Sequence, residues 1–506
     1  MPQLLIKNAL VLDGTGAEPF LADIAVDHGI IRAVGSFPHA VADRIIDAKG
    51  RCVTPGFMDI HRHGDAACLR EGFGEADLRQ GVTYIVNGNC GLSVVPSFGL
   101  HSRAILDYLS PVTGRVERPW ATLSEYRNAV RIPIHHGMLA GLGTIRAVTA
   151  GYAAGKLDAD QMTSIHRLLE QTLSDGALGV SLGLGYAPDC FFSPEELLTA
   201  LAPVAGTGIP VTVHVRSEGD GLLESLEEMV QAARVLRTPV HISHLKSIGK
   251  RNWNRHIPTA LEMLERGRQE GLSLTCDVYP YTAGSTQLTH ILPPEYLLGG
   301  TEAICRRLKD EAARENLRER LETGSDFENI VLLAGWENIY DYGLTEEMDK
   351  PYEGMSIRDA AALAGKEPLA FVCDLLAAEH CGVTMIDFIA SEEDLIQILH
   401  DPFSSVISDS TYPSQGQLHP RVFGTFPRIL ERYVREQQVL TLPEAIRKMT
   451  SLPAQTLGIP NKGKIAPGYD ADLNVFDLSK IHEPGTYADS QRFAQGMDWV
   501  LVNGVP

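Results

Sequence analysis

The chain has no run of about 18 apolar residues, the length a membrane-spanning helix requires, and its start, "MPQLLIKNALVLDG", lacks the pattern of a secretory signal. No membrane partner and a cytoplasmic location are expected. Cysteine is scarce, with 8 residues among 506 and no framework spacing, so free thiols rather than disulfides are expected. Basic residues are outnumbered, 44 Lys and Arg against 64 Asp and Glu, giving a formal charge of −20. That balance excludes the concentrated cationic surface that phosphate-backbone binding needs, so no nucleic-acid partner is expected. It also means that an anionic small molecule would have to be captured by Lys or Arg placed locally. Internal repeats and low-complexity runs are absent.

The first fifty residues read as short strands around Asp-Gly and His-Gly turns, and the same texture returns in "GKIAPGYDADLNVFDL" and "WVLVNGVP". Residues 1–53 and 456–506 are therefore expected to build one small β domain from both termini, its last hairpin lacking a returning strand. Between them, residues 54–455 alternate apolar β-type runs with amphipathic helical ones such as "LLESLEEMVQAARVL". Strands are expected near 53–60, 83–88, 136–141, 177–182, 210–214, 239–244, 273–279 and 404–409. Eight strands alternating with helices imply a (β/α)8 TIM-like barrel. The stretch 287–400 is too long for one connection and reads as an insertion, with a charged helix in "AICRRLKDEAARENLRERLETG" and a strand in "NIVLLAGW".

Chemistry-bearing residues fall at the ends of five of these strands. They are His61 and His63 in "GFMDIHRHGD", Cys90 in "VNGNCG", His214 in "VTVHVRSEG", His244 in "HISHLKS" and Asp409 in "SSVISDS". Residues two apart on a strand face the same side, so His61 and His63 form a pair of nitrogen donors. An H-x-H pair alone is more often core or surface than ligand, and Asp409 before Ser410 and Thr411 is also a plausible helix cap. The scatter over several strand ends carries the reading. Imidazole and thiolate suit zinc with an open position for water, and catalytic residues of such barrels sit at the C-terminal strand ends. A zinc hydrolase is expected.

The runs "VTPGFMDIHRHGD", "GNCGLS", "HVRSEG", "SHLKSIG", "DVYPYTAGST", "HPRVFGTFPRIL", "KMTSLPAQTLGI" and "GKIAPGYDADLNVFD" together resemble the N-acyl-D-amino-acid deacylases (D-aminoacylases) of the amidohydrolase superfamily. The resemblance spans nearly the whole chain. It implies a barrel carrying a small β-sandwich, one zinc held tightly by Cys90, His214 and His244, and a second, weaker ion at His61 and His63 bridged by Cys90. It further implies Asp409 as general base and then acid, with Lys246, Tyr279 and Arg421 receiving the substrate's α-carboxylate and Tyr186 and Ser285 in the same pocket. Arg62 would bring a cation near the weaker metal position. Arg216 and Glu218 are read as an ion pair beneath the site, His241 as packed behind it and His419 as loop structure.

The expected activity is hydrolysis of a small-molecule N-acyl-D-amino acid, the D configuration resting on the resemblance alone. Since "YTAGSTQLTHILPP" offers no arginine, a neutral or apolar side chain is expected. Three other readings compete: a deacylase for acidic N-acyl-D-amino acids, a cyclic-amide hydrolase of the dihydroorotase or hydantoinase type, and a non-catalytic scaffold on the same fold. The lack of an evident bridging lysine weighs against the second, and the retained ligand positions against the third. The composition is compatible with a monomer or an oligomer.

Overall fold

In a computed structural model, which describes residues 2–506, eight short parallel strands form a barrel. They are Phe57–Asp59, Val82–Asn87, His135–Met138 continued by Ala140–Gly141, Val180–Gly183, Val211–His214, Val240–Ile242, Leu274–Val278 and Ser404–Val406. Successive members pair in parallel. The third strand breaks at Leu139, whose N–H bonds Asn87 O, while the next N–H, of Ala140, bonds Gly179 O. That break hands the strand over from the second to the fourth. Period-2 alternation sorts the residues: Leu274, Cys276 and Val278 join the large core shared with the outer helices, which leaves Thr275 and Asp277 facing inward. The helix Leu222–Leu236 covers this sheet with Leu222, Leu226, Met229, Val230 and Ala233, an apolar stripe at helical spacing.

The expected strand 53–60 is two strands. Cys52–Pro55 belongs to a second sheet and Phe57–Asp59 to the barrel. Gly56 separates them because a Cβ there would lie 2.1 Å from Thr83 Oγ1, so only glycine lets the chain pass the second barrel strand so closely. The second sheet has seven strands drawn from both ends of the chain, with Leu4–Val11 and Cys52–Pro55 next to one another and Leu473–Phe476 paired to Cys52–Pro55. Ile6, Val11, Ile24, Val53, Leu473, Val475 and Leu501 form its own core. The incomplete last hairpin leaves its edge either frayed or paired elsewhere, and it is paired: Met497–Leu501 runs antiparallel to Leu473–Phe476, and a Val502–Val505 bridge closes the last turn.

The insertion is built on a three-stranded antiparallel sheet of Ala283–Gln287, Thr384–Phe388 and Ile339–Tyr342, with Thr384–Phe388 central. The expected single charged helix is two, Thr301–Lys309 and Glu311–Thr323, broken at Asp310, which caps the second through the Ala313 N–H. The expected strand in "NIVLLAGW" is instead a helix, Ile330–Ala334, because Asn329 caps it by accepting the Leu332 N–H. Among the described residues no helix is long and apolar enough to cross a membrane.

Closure of the barrel depends on Asp59. Its carboxylate accepts Ser408 N–H at 3.0 Å and Ser408 Oγ at 2.5 Å, tying the first strand to the eighth. Asp409 N bonds His61 O and His63 N bonds Ser410 O, both at 2.9 Å. The fully buried Arg62 neutralises this seam, with Nε 2.8 Å and Nη2 2.7 Å from Asp59 Oδ2 and Nη1 2.6 Å from Asp77 Oδ1. Beyond the strand's end, a parallel bridge from Arg62 to Ser410 keeps the backbone extended and turns Arg62 away from its neighbours His61 and His63, so the cation expected beside the weaker metal position is instead engaged in the seam. Replacing it leaves two buried carboxylates unpaired. Arg62→Met is expected to lose roughly 3–5 kcal/mol of unfolding free energy, read by urea denaturation; a variant as stable as the parent would refute the closing role.

Candidate metal centre and active site

At the C-terminal end of the barrel, six side chains converge. Cys90 Sγ lies 3.3 Å from His61 Nε2 and 3.5 Å from His244 Nε2, and His214 Nδ1 lies 3.0 Å from His244 Nε2. Asp409 Oδ1 is 3.5 Å from His61 Nε2 and 3.3 Å from His63 Nε2. All six are buried. Cys90, His244 and Asp409 have φ of 52°, 35° and 49°, a left-handed backbone that L residues rarely adopt. Such strain, about 1–3 kcal/mol each, clusters where surrounding structure must aim a side chain.

The donor set fits a metal ion. His61, Cys90 and His244 bring ligand atoms within 4.8 Å of one another, as do His61, His63 and Asp409. Imidazole nitrogens face each other and the thiol with little else to satisfy them, and the buried His63 Nδ1 and His214 Nε2 have no hydrogen-bond partner. Burial opposes ionisation of Cys90, but His61 and His244 outweigh it and hold the thiol well below its usual range. A thiolate is the form that ligates.

Carboxylates orient these imidazoles from behind. Asp277 Oδ2 lies 3.2 Å from His61 Nδ1 and 2.8 Å from His241 Nε2, and its other oxygen accepts the His244 N–H. Glu218 Oε1 lies 2.8 Å from His244 Nδ1 and 2.6 Å from Lys246 Nζ. The expected Arg216–Glu218 pair does not form. The fifth strand ends at His214, so parity no longer applies; Arg216 pairs with Glu228 at 2.8 Å and Glu218 turns into the site. His241 sits behind the site as expected. His419 does more than shape a loop: its Nδ1 accepts the Arg421 N–H and its Nε2 contacts Ala283 O, setting Arg421 in place.

A cleft opens over the centre, lined by His63, Cys90, His214, His244 and Asp409 together with Lys246, Tyr279, Tyr186 and Ser285. Tyr186 packs against His214 and bonds Thr286 Oγ1 at 3.0 Å, and Ser285 Oγ pairs with Thr411 Oγ1 at 3.0 Å. Arg421 does not line the cleft. It is fully buried behind Asp409, with Nη1 3.0 Å from Asp409 Oδ2 and its guanidinium over the Tyr279 ring at 4.8 Å. Burial opposes ionisation of Asp409, yet Arg421 and His63 hold its carboxyl well below the usual range. The insertion brings in His290, which the sequence offers as a partner for an acidic substrate side chain, together with Asp387 and, behind His290, Glu328 at 3.8 Å, which strand-end reasoning misses. Asp277 was within reach of strand alternation; Asp387 and Glu328 carried no sequence signal.

The amidohydrolase family (Amidohydro_3) matches residues 405–506. The D-aminoacylase of Alcaligenes xylosoxydans xylosoxydans is 31% identical over 512 residues, covering 99% of this chain and 94% of that protein. This chain belongs to the D-aminoacylase family of amidohydrolases. The N-acyl-D-glutamate deacylase of the same organism is 30% identical, covering 99% of this chain and 92% of its own. A solved N-acyl-D-glutamate deacylase from Bordetella bronchiseptica, complexed with zinc and a phosphonate mimic of the tetrahedral intermediate, superposes with a TM-score of 0.82 at 28% identity over 100% of this chain and 96% of that one. The family is one of metal-dependent enzymes, and the TIM-barrel fold is common to it.

Partners that orient metal-binding histidines typically contribute 10–100-fold to metal affinity. Asp277→Asn is therefore expected to weaken metal binding by roughly that factor in chelator competition; unchanged affinity would remove Asp277 from the metal centre.

Proposed function

We propose that this protein hydrolyses the amide bond of N-acyl-D-amino acids with zinc as its metal, releasing a carboxylate and a free D-amino acid with a neutral side chain. The observation that carries the reading is the convergence of one thiol, four imidazoles and one ionised carboxylate at the barrel mouth, beside a lysine and a tyrosine in the same cleft. The D configuration follows the activities of the relatives.

Cys90, His214 and His244 would hold the tighter ion, and His61 and His63, with Cys90 between, a second and weaker one. A bound zinc supplies Lewis-acid polarisation of the scissile carbonyl and of the attacking water. Asp277 and Glu218 fix the ring orientations of His61 and His244 so that Nε2 of each faces the centre. Asp409 takes a proton from the attacking water and passes it to the departing amine nitrogen, roles that suit a carboxylate within reach of both. Lys246 and Tyr279 meet the α-carboxylate from the cleft wall, and Arg421 adds charge from behind Asp409. Tyr186 and Ser285 shape the remaining wall.

A neutral substrate side chain follows from the cations available. Lys246 is paired with Glu218, Arg421 with Asp409, and Arg62 with Asp59 and Asp77. Among the described residues no arginine lines the cleft to take a second carboxylate.

The test compares amine release from N-acetyl-D-methionine and N-acetyl-L-methionine by protein of measured zinc content, with Asp409→Asn alongside. D-selective release is expected, falling by roughly 10²–10⁴-fold in the variant while the tighter ion, held by Cys90, His214 and His244, is retained. Release from neither enantiomer by zinc-loaded protein would overturn the reading.

A further inference from the structure

One acid in the cleft has no task in the reaction just described. Asp387 lies on the central strand of the inserted sheet, opposite Gly284 and Ile339. It is 2% exposed, its Oδ1 has no hydrogen-bond partner, and the side chain lines the cleft. A buried carboxylate without partners is costly and in native proteins is normally paired. The position is also built for it: a Cβ on Gly284 would fall 2.6 Å from Asp387 Oδ1, so only glycine on the neighbouring strand leaves room for the oxygen. That same point lies 3.5 Å from Tyr279 Oη, which puts the carboxylate at the amino-acid end of the cleft. Burial pushes the Asp387 carboxyl up to about 6, against the pull of Lys246, His290 and Arg421.

The neighbouring basic groups do not satisfy it. Lys246 bonds Glu218 at 2.6 Å, Arg421 pairs with Asp409 at 3.0 Å and bonds Ser285 O at 2.9 Å, and His290 faces Glu328 at 3.8 Å. What Asp387 lacks is a donor, and a substrate side chain held beside the α-carboxylate is placed to supply one.

Resting on the deacylase reading, we infer that Asp387 is a specificity-determining residue that accepts a hydrogen bond from the substrate side chain, so that the preferred substrates are N-acyl-D-amino acids bearing an amide, hydroxyl or amino donor. Apolar side chains leave the carboxylate buried and unpaired, and acidic ones meet it charge to charge. Sites that hydrogen-bond a substrate group discriminate strongly against the analogue lacking it, for this reason.

N-acetyl-D-asparagine, N-acetyl-D-leucine and N-acetyl-D-aspartate share one branched outline and differ in offering a donor, nothing or a negative charge. The experiment measures kcat/KM for all three with the zinc-loaded parent, Asp387→Leu and Asp387→Asn, and the binding of free D-asparagine and D-leucine by calorimetry. The parent is expected to favour the asparagine derivative over the leucine one by at least about tenfold, with aspartate slowest. Asp387→Leu is expected to invert the first preference, and Asp387→Asn to raise the relative rate on the aspartate derivative by about tenfold or more. A parent that prefers leucine, or a ranking that both variants leave unchanged, would overturn the assignment. Turnover of none of the three, with D-asparagine still bound in an Asp387-dependent way, would overturn the deacylase reading and leave the assignment standing. Neither turnover nor such binding would overturn both.

Discussion

The carboxylate of Asp277 joins three barrel strands at the site. It reaches His61 on the connection after the first strand, His241 on the sixth and the backbone of His244 just beyond it. Burial alone would drive a proton onto such a group, but His61 and His241 outweigh it and hold the carboxyl well below its ordinary range. The charge therefore stays, and it fixes which nitrogen of His61 faces the centre. Glu218 does the same for His244 while also anchoring Lys246. Imidazole orientation, thiolate character at Cys90 and the placement of a lysine in the cleft wall thus trace to two buried acids set behind the proposed ligands.

Two parts of the fold divide the labour. The barrel carries the chemistry, because parallel strands all deliver their C-terminal ends to one mouth and the seam between Asp59, Ser408 and Arg62 keeps the first and eighth strands together. The inserted sheet walls the cleft over that mouth, contributing Ser285, Thr286 and Asp387. His419 and Arg421 couple the two, since His419 contacts Ala283 O and Arg421 bonds Ser285 O while pairing with Asp409. A protein of formal charge −20 thereby keeps the cations of its site paired and in position.

The barrel and its six strand-end residues were legible because period-2 alternation and apolar run length are local properties of the chain. Where the reading failed, a local rule had stopped applying. Parity beyond His214 predicted an Arg216–Glu218 pair, yet the strand ends there and the two side chains diverge to Glu228 and to Lys246. Apolar content made "NIVLLAGW" look like a strand, although Asn329 caps it as a helix. Arg62 looked like a neighbour of the metal position because it lies between two histidines, and the extended backbone that bridges it to Ser410 sends it to the opposite face from them.

By itself the sequence determined the eight-strand order, the donor atoms and the side of each strand on which they lie, since all three depend on spacing between near neighbours. Tertiary structure decided which acid partners each imidazole, that Arg421 stands behind Asp409 rather than in the cleft, and that Asp387 faces it unpaired. Those outcomes join residues up to 216 positions apart, as between His61 and Asp277. At that range nothing local to either residue encodes the contact; only closure of the barrel and packing of the inserted sheet bring the two ends together.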